Sequence, residues 1–204
     1  MIAALVLAAG ASKRMGKPKQ IVRIRGVPML QAVLDALHRS KVDSVVVVLG
    51  ANAEEVRGLV EFGDDRVLVN PAFAEGMSSS IRLGVEEVEG WAEAALIVLG
   101  DQPLVRAGTI DRLVSAYEAS KAPIVVPVSA GRWGNPVLFD KALFPEIKEL
   151  RGDVGARSIV ERNRERVMEV PVRDRGVLLD IDTPSDHAAA SGRIRGSYRL
   201  RGRA

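Results

Sequence analysis

The sequence predicts an α/β fold: a doubly wound, mostly parallel sheet with a small α+β extension. Continuous apolar runs at 2–8, 44–49, 94–99 and 123–128 read as strands buried on both faces of a parallel sheet. Stretches with helical spacing lie between those runs, so strand and helix alternate along the chain. Small and charged residues gather directly after the runs, where such a sheet presents its ligand-binding edge.

The first run is "IAALVLA" (2–8). In 28–38, Met29, Val33, Leu34 and Leu37 form one apolar stripe behind Pro28, a residue suited to a first helical turn. "SVVVVL" (44–49) is the next strand, and a helix over 52–62 opens on Asn52 as a cap with Glu54 and Glu55 in its first turn. A helix over 78–89, the strand "AALIVL" (94–99), a helix over 107–119 and the strand "PIVVPV" (123–128) continue the alternation. The last third is less regular. "GNPVLF" (134–139) and "VMEVPV" (167–172) read as short strands, with helices near 141–149 and 154–163. No repeat and no linker-like stretch precedes residue 190, so the expectation is one domain over 1–190, its extension lying over the sheet edge, and a tail over 191–204.

Composition narrows the chemistry. Of 204 residues 47% are apolar and 27% charged, ordinary for a soluble globular chain. No apolar run reaches the roughly 18 residues of a membrane span, and the apolar start lacks the flanks of a signal peptide, so a cytoplasmic protein is expected. Cysteine is absent and only His38 and His187 are available, which excludes disulfides, thiolate metal sites and His-rich centres. The net charge of +3 is misleading: without the five arginines of the last fourteen residues, 24 basic residues face 26 acidic ones. That balance is not a nucleic-acid binder's.

Four loops following strands are chemically loaded: 10–20, 70–80, 100–103 and 180–184. The first, within "VLAAGASKRMGKPKQ" (6–20), looks like a phosphate loop but fails both common patterns. Five residues separate Gly10 from Gly16, Pro18 stands where a Walker A hydroxyl belongs, and Ser12 breaks a dinucleotide G-x-G-x-x-G. Its small residues over 8–12 let backbone N–H groups approach an anion, and Arg14 and Lys19 can neutralise a triphosphate. "LGDQP" places Asp101 at a strand's carboxyl end, where one or two carboxylates and phosphate oxygens hold Mg²⁺. "LLDIDTPSD" adds Asp180 and Asp182 before a helix start at Thr183, which could equally be plain capping. "NPAFAEGMSSSIRLG" (70–84) brings Gly76 and the serines 78–80 to a helix start, suited to phosphate, a base edge or capping. "GNP" (134–136) and "RGDVGAR" (151–157) could cover an acceptor, with Arg157 as its anion ligand. There is no G-x-S-x-G elbow, and both histidines fall in helical stretches away from any nucleophile. Phosphoryl or nucleotidyl transfer remains, where positioning and charge neutralisation supply most of the catalysis.

"LAAGASKRMGKPK" (7–19) resembles the signature loop of nucleotidyltransferases with the Rossmann-like nucleotide-diphospho-sugar transferase fold. The later motifs, in order, resemble the molybdenum cofactor cytidylyltransferase branch of the MobA-like enzymes, and the likeness runs over 1–187. The resemblance implies transfer of CMP from CTP to the terminal phosphate of molybdopterin, Mg²⁺ or Mn²⁺ as cofactor, and a molybdenum hydroxylase as a client; it implies neither nucleic acid nor membrane as partner. It implies further that Leu7, Ala8, Ala9, Gly10 and Ser12 hug the nucleotide, with Lys13, Arg14 and Lys19 on its phosphates. Gly76, Ser78 and Ser80 lie by the base, Asp101 and Asp182 hold the metal, and Arg14, Lys19 and Asp101 are the catalytic set. Gly134, Asn135, Pro136, Asp153 and Arg157 face the acceptor.

Three other readings compete. "PKQIVRIRGVPML" (18–30) also resembles the cytidylyltransferase of the methylerythritol phosphate route, but "GDQP" replaces that family's segment after its Asp. A guanylyltransferase of the same branch usually has two glycines where this chain has Ala9-Gly10, and the extra methyl favours a smaller base by about 1–3 kcal/mol at most. A non-catalytic cofactor carrier would tolerate loss of the carboxylates, which are here kept together with Arg14 and Lys19.

Overall fold

A computed structural model describes residues 1–12 and 17–192. The chain lays down β1 (Ile2–Ala8), a short hairpin of β2 (Arg23–Ile24) and β3 (Val27–Pro28), then α1 (Met29–His38) and β4 (Ser44–Leu49). α2 (Ala53–Arg57), β5 (Arg66–Val69), α3 (Met77–Val88), β6 (Ala94–Leu99), α4 (Ala107–Ser120) and β7 (Ile124–Ser129) follow. β8 (Arg132–Trp133), β9 (Val137–Asp140), α5 (Phe144–Lys148), α6 (Arg157–Arg162), β10 (Val167–Pro171) and α7 (Pro184–Ala190) complete the order.

Among the described residues the main sheet has eight strands, in the order β10-β7-β9-β6-β1-β4-β5 with β8 hydrogen-bonded to β7. β5, β4, β1 and β6 are mutually parallel, and β9 runs antiparallel between β6 and β7. The fold is therefore the expected α/β one, with a mixed, mostly parallel sheet. From β1 the chain first moves outward to β4 and β5, then returns to build β6 on the other side. The strand order reverses between β1 and β6, and their carboxyl ends, Ala8 and Leu99, open on the crevice where such sheets bind ligands.

Alternation along the strands divides the core into two faces. Ala4, Val6, Val45, Val47 and Leu96 pack with Leu34 of α1 and Leu113 of α4; Ala3, Leu5, Val46 and Ile97 pack with Ile81 of α3 and Ile147 of α5. This burial on both faces is why the runs are continuously apolar. A smaller cluster of Val22, Ile24, Met29, Ile181 and Ala190, with Leu104 against it, fastens the β2–β3 hairpin and α7 beside the crevice.

Several sequence expectations are revised. The last third does not lie over the sheet edge: β9, β7 and β10 continue the same hydrogen-bonded sheet beyond β6. α2 stops at Arg57, and Asn52 makes no side-chain cap because its backbone is left-handed, at φ 61°. Helix 141–149 is a 3₁₀ turn at Lys141–Leu143 followed by α5, and helix 154–163 contracts to α6. β5 was not anticipated; a four-residue edge strand with exposed ends and only half-buried central residues carries little apolar signal. Among the described residues no helix is long and apolar enough to cross a membrane. Most of the basic tail, 193–204, lies outside the described residues.

Leu5 is fully buried on β1, paired with Val46 and Ile97, and α3 rides close enough that a Cβ on Gly84 would stand 3.3 Å from its Cδ1. Leu5→Ala should therefore cost about 2–5 kcal/mol, because the strand and helix around the lost methyls cannot collapse. Thermal unfolding should show a midpoint lowered by roughly 5–15 °C.

Candidate functional site

The carboxyl end of β1 runs into the loop at 9–12, and three features bring it close to its neighbours. A Cβ on Gly50, just after β4, would lie 2.7 Å from Ala9 O, so only glycine lets this strand end approach. Gly100 N donates to Leu7 O at 3.0 Å on the other side. Gln20, 2% exposed, reaches back with its carboxamide to donate to Ala8 O at 2.7 Å and to Gly10 O at 3.0 Å. Ser12, at φ 53°, accepts from Lys19 N at 2.9 Å through its hydroxyl, which ties the two ends of the basic loop together. The sequence reading expected Ser12 to meet the nucleotide; its hydroxyl also positions Lys19. Lys13 and Arg14 lie outside the described residues.

Lys19 is thereby aimed at two carboxylates from distant parts of the chain. Its Nζ lies 2.5 Å from Asp101 Oδ2 and 3.1 Å from Asp182 Oδ1. Ile181 N donates to Asp101 O at 3.0 Å, so the 180–182 segment is stitched to the end of β6 by backbone. Beyond Asp182, Thr183 caps α7 in a reciprocal capping box with Asp186. The capping reading and the carboxylate reading of "DIDTPSD" thus hold for different residues. Burial alone would lower the Lys19 pKa, but the charges and hydrogen bonds of Asp101 and Asp182 outweigh it and raise the pKa above the usual lysine value. Asp180 sits alongside, its pKa raised by desolvation and then by the Asp101 charge, with Gln102 Nε2 donating to its Oδ1 at 2.7 Å.

Asp101 Oδ1 is buried and has no hydrogen-bond partner among the described residues. An unpaired buried carboxylate oxygen costs about 1–3 kcal/mol or more, so this atom marks the place for a cation. The donors here are carboxylate oxygens, the type a hard divalent ion such as Mg²⁺ or Mn²⁺ selects. Among the described residues no group of three or more His, Asp or Glu side chains could hold such an ion alone. Its further ligands would be phosphate and water oxygens, the usual arrangement for Mg²⁺.

The crevice beside this triad is a cleft of about 210 Å³ lined by Leu7, Ala8, Ala9, Gly10, Lys19, Gly76, Ser80, Asp101 and Asp153, and by Gln20, Phe73, Met77, Leu99 and Gly100. A wider cleft of about 560 Å³ shares Gly10, Lys19, Phe73, Gly76 and Asp153 with it and adds Ser12 and Asp182. Gly76 has φ 111°, and a Cβ there would come within 2.5 Å of Gly152, so glycine is required for the 151–155 loop to lie over the start of α3. Ser78 Oγ donates to Gly152 O at 2.7 Å and Met77 N to Asp153 Oδ1 at 3.4 Å, securing that loop. Asn70, 3% exposed, donates through Nδ2 to Ser79 Oγ at 2.8 Å and Ser80 Oγ at 3.0 Å.

Of the expected site residues among those described, Leu7, Ala8, Ala9, Gly10, Ser12, Lys19, Gly76, Ser80, Asp101, Asp153 and Asp182 thus line one continuous crevice. Ser78 serves below it as a tether. Gly134, Asn135, Pro136 and Arg157 do not line either cleft. A Cβ on Gly134 would strike Val177 O at 2.5 Å, Asn135 N donates to Val177 O, and the Asn135–Pro136 peptide is cis. The exposed Arg157 reaches Glu161 Oε1 at 3.2 Å. The expected helical histidines have local roles: His38 meets Asp65 at 2.9 Å and His187 meets Arg23 O at 2.8 Å. Gln20, Asn70, Phe73 and Met77 were not anticipated. A lone polar residue flanked by helix- or strand-forming ones, as in "KQIV" and "VLVN", was the available signal for the first two.

Replacing Gln20 by Leu leaves Ala8 O and Gly10 O without this donor. Gln20→Leu should lower stability by about 1–3 kcal/mol in chemical denaturation. Amide hydrogen exchange should accelerate over 8–12 and leave α4 unchanged.

Comparison with known proteins agrees with this geometry. The family model described as the MobA-like NTP transferase domain matches residues 4–167. The chain is 29% identical to nicotine blue oxidoreductase of Paenarthrobacter nicotinovorans, covering 89% of this chain and 92% of that protein. It is 30% identical to the purine catabolism protein PucB of Bacillus subtilis (strain 168), covering 89% and 91%. The crystal structure of Rv0371c from Mycobacterium tuberculosis H37Rv superposes with a TM-score of 0.84 at 32% identity, covering 94% of this chain and 97% of the other. A complex of Rv0371c with manganese superposes at 0.82, with 31% identity and coverage of 95% and 99%. The chain belongs to the MobA-like NTP transferase domain family and is an NTP nucleotidyltransferase.

Proposed function

We propose that the chain transfers CMP from CTP to the terminal phosphate of molybdopterin or its molybdenum-loaded form, releasing pyrophosphate. The observation that carries this reading is the buried Asp101 Oδ1, unpartnered among the described residues, beside the Lys19–Asp101–Asp182 triad at the strand-order reversal. The resemblance of the motifs at 70–84 and 151–157 supports the molybdopterin acceptor, and Asp153 of the latter lines the cleft. The preference for CTP rests on that resemblance and on Ala9, whose methyl lines the cleft and also packs toward Gly50.

In this reading the loop at 8–12 offers its backbone N–H groups to the triphosphate, held in place by Gln20. Asp101 and Asp182 would hold the divalent ion, which would leave the Lys19 ammonium to the phosphates. When bound, that ion polarises the phosphate oxygens and offsets charge on the leaving group. An oxygen of the acceptor phosphate attacks the α-phosphorus. A new P–O bond forms as the bond to the bridging oxygen breaks, and pyrophosphate leaves with that electron pair. The acceptor phosphate is already ionised near neutral pH, so no general base is needed. The roles of the two histidines elsewhere fit that requirement.

Pyrophosphate release should be measured with molybdopterin and Mg²⁺, running CTP, GTP and ATP side by side. Release with CTP alone is expected. Release with GTP would keep the transfer and overturn the base reading; tight pterin binding with no release from any nucleotide would make the chain a carrier. Asp101→Asn should reduce turnover by about a hundredfold or more, since the ion it holds supplies several kcal/mol of transition-state stabilisation. Full Mg²⁺-dependent turnover in that variant would remove Asp101 from the metal site.

A further inference from the structure

A second groove, of about 610 Å³, lies on the reverse side of the loops that carry the carboxylates. Its floor includes Leu104, Val105 and Leu179, three residues beyond Asp101 and three before Asp182, with Ile24 of the hairpin. Its rim carries Arg25, Arg39, Arg106 and Arg175, all exposed. None of the four makes a side-chain ion pair among the described residues, a state they share with the exposed Arg23, Arg112, Arg132 and Arg173, whereas Arg66 and Arg157 pair with glutamates.

The two carboxylates in the groove do not neutralise this rim. Asp35 accepts from Gln31 Nε2 at 3.0 Å, and the buried Asp174 accepts from Arg106 N, Thr109 Oγ1 and Gly176 N. Both keep their negative charge, so four exposed guanidinium groups against two carboxylates leave the groove net positive. Arg25 stands on the exposed tip of the β2–β3 hairpin. It and Gly26 have φ of 52° and 89°, both in the left-handed region as a two-residue hairpin turn requires, and Arg23 Nη1 donates to Gly26 O at 2.6 Å across it.

We propose that this groove docks an acidic segment of a partner protein, its Asp and Glu residues on the four arginines and an aliphatic side chain on the Leu104–Val105–Leu179 floor. Arginine pairs bidentately with carboxylates and recurs among the residues that dominate interfaces, while the apolar floor supplies desolvated contact area. Charge complementarity selects this occupant over the others. The Arg-rich C-terminal tail is repelled by the rim, and the near-neutral body of the chain is not built for nucleic acid. Because the floor belongs to the same two loops as Asp101 and Asp182, a docked partner would sit directly behind the nucleotide crevice. The proposal stands independently of which nucleotide and acceptor that crevice takes.

The test is to pan a random peptide library on phage against the full chain, with the Arg39→Glu/Arg106→Glu variant as counter-selection. Enriched sequences should carry Asp or Glu around an aliphatic residue. The corresponding synthetic peptides should bind the full chain, bind less in added salt, and lose about tenfold or more in affinity on the variant. Unchanged melting temperature and pyrophosphate release would show the variant intact; if either fell, Arg39→Gln/Arg106→Gln would replace it. No enrichment, enrichment of non-acidic sequences, or equal affinity for the variant would overturn the proposal. So would displacement of the peptide by single-stranded oligothymidylate with the same dependence on Arg39 and Arg106, or self-association of the chain that the variant abolishes.

Discussion

The structure around the crevice depends on one ammonium group lying between two carboxylates. Lys19, Asp101 and Asp182 are separated by 82 and 163 residues along the chain, and they meet within hydrogen-bonding distance at the place where the sheet changes direction. Each carboxylate alone would be a partly desolvated negative charge, and the pair would repel. The ammonium balances them in the absence of anything else, and its raised pKa keeps it charged across the neutral range. One carboxylate oxygen, Asp101 Oδ1, is unmatched among the described residues. On the proposed reading a cation bound with a polyphosphate would resolve both features, the ion taking the carboxylate oxygens and the lysine the phosphates.

The rest of the fold serves that meeting. Parallel strands buried on both faces hold the ends of β1 and β6 in fixed register, so Ala8 and Gly100 cannot drift apart. Gly50 and Gly76 open the space for two close approaches, one of the first loop against β4 and one of the 151–155 loop against α3. Polar groups that look like ligand contacts are partly internal fasteners: Gln20 grips the loop backbone, Ser12 receives Lys19 N, and Ser78 holds Gly152. Such fastening preorganises the site, so that binding need not order it.

Much of this was legible because the signals are local. Doubly buried strands leave uninterrupted apolar runs, and acids or glycines directly after them stand out, which is how Asp101, Asp182, Gly10 and Gly76 could be singled out. What depended on tertiary packing was hidden. β5 is a half-exposed edge strand, and Gln20 and Asn70 become important only because distant backbone closes over them. The sheet's continuation through β9, β7 and β10 could not be read from strands whose pairing partners are set by topology. The "GNP" and Arg157 positions show the converse. Motif resemblance drew attention to them, while the structure sets Gly134 against Val177 and Arg157 beside Glu161, outside both clefts.

If the carboxylates bridged by Lys19 form the cation site serving the nucleotide, a divalent ion should bind there and bind more tightly with the nucleotide. The most direct measurement is Mn²⁺ binding by electron paramagnetic resonance, with and without CTP, in the wild type, Asp101→Asn and Lys19→Met. Expected are weak binding to the free wild type, tighter binding with CTP, loss of about tenfold or more in Asp101→Asn, and stronger nucleotide-free binding once the competing ammonium is removed in Lys19→Met. Mn²⁺ binding to Asp101→Asn indistinguishable from that of the wild type, with and without CTP, would contradict it.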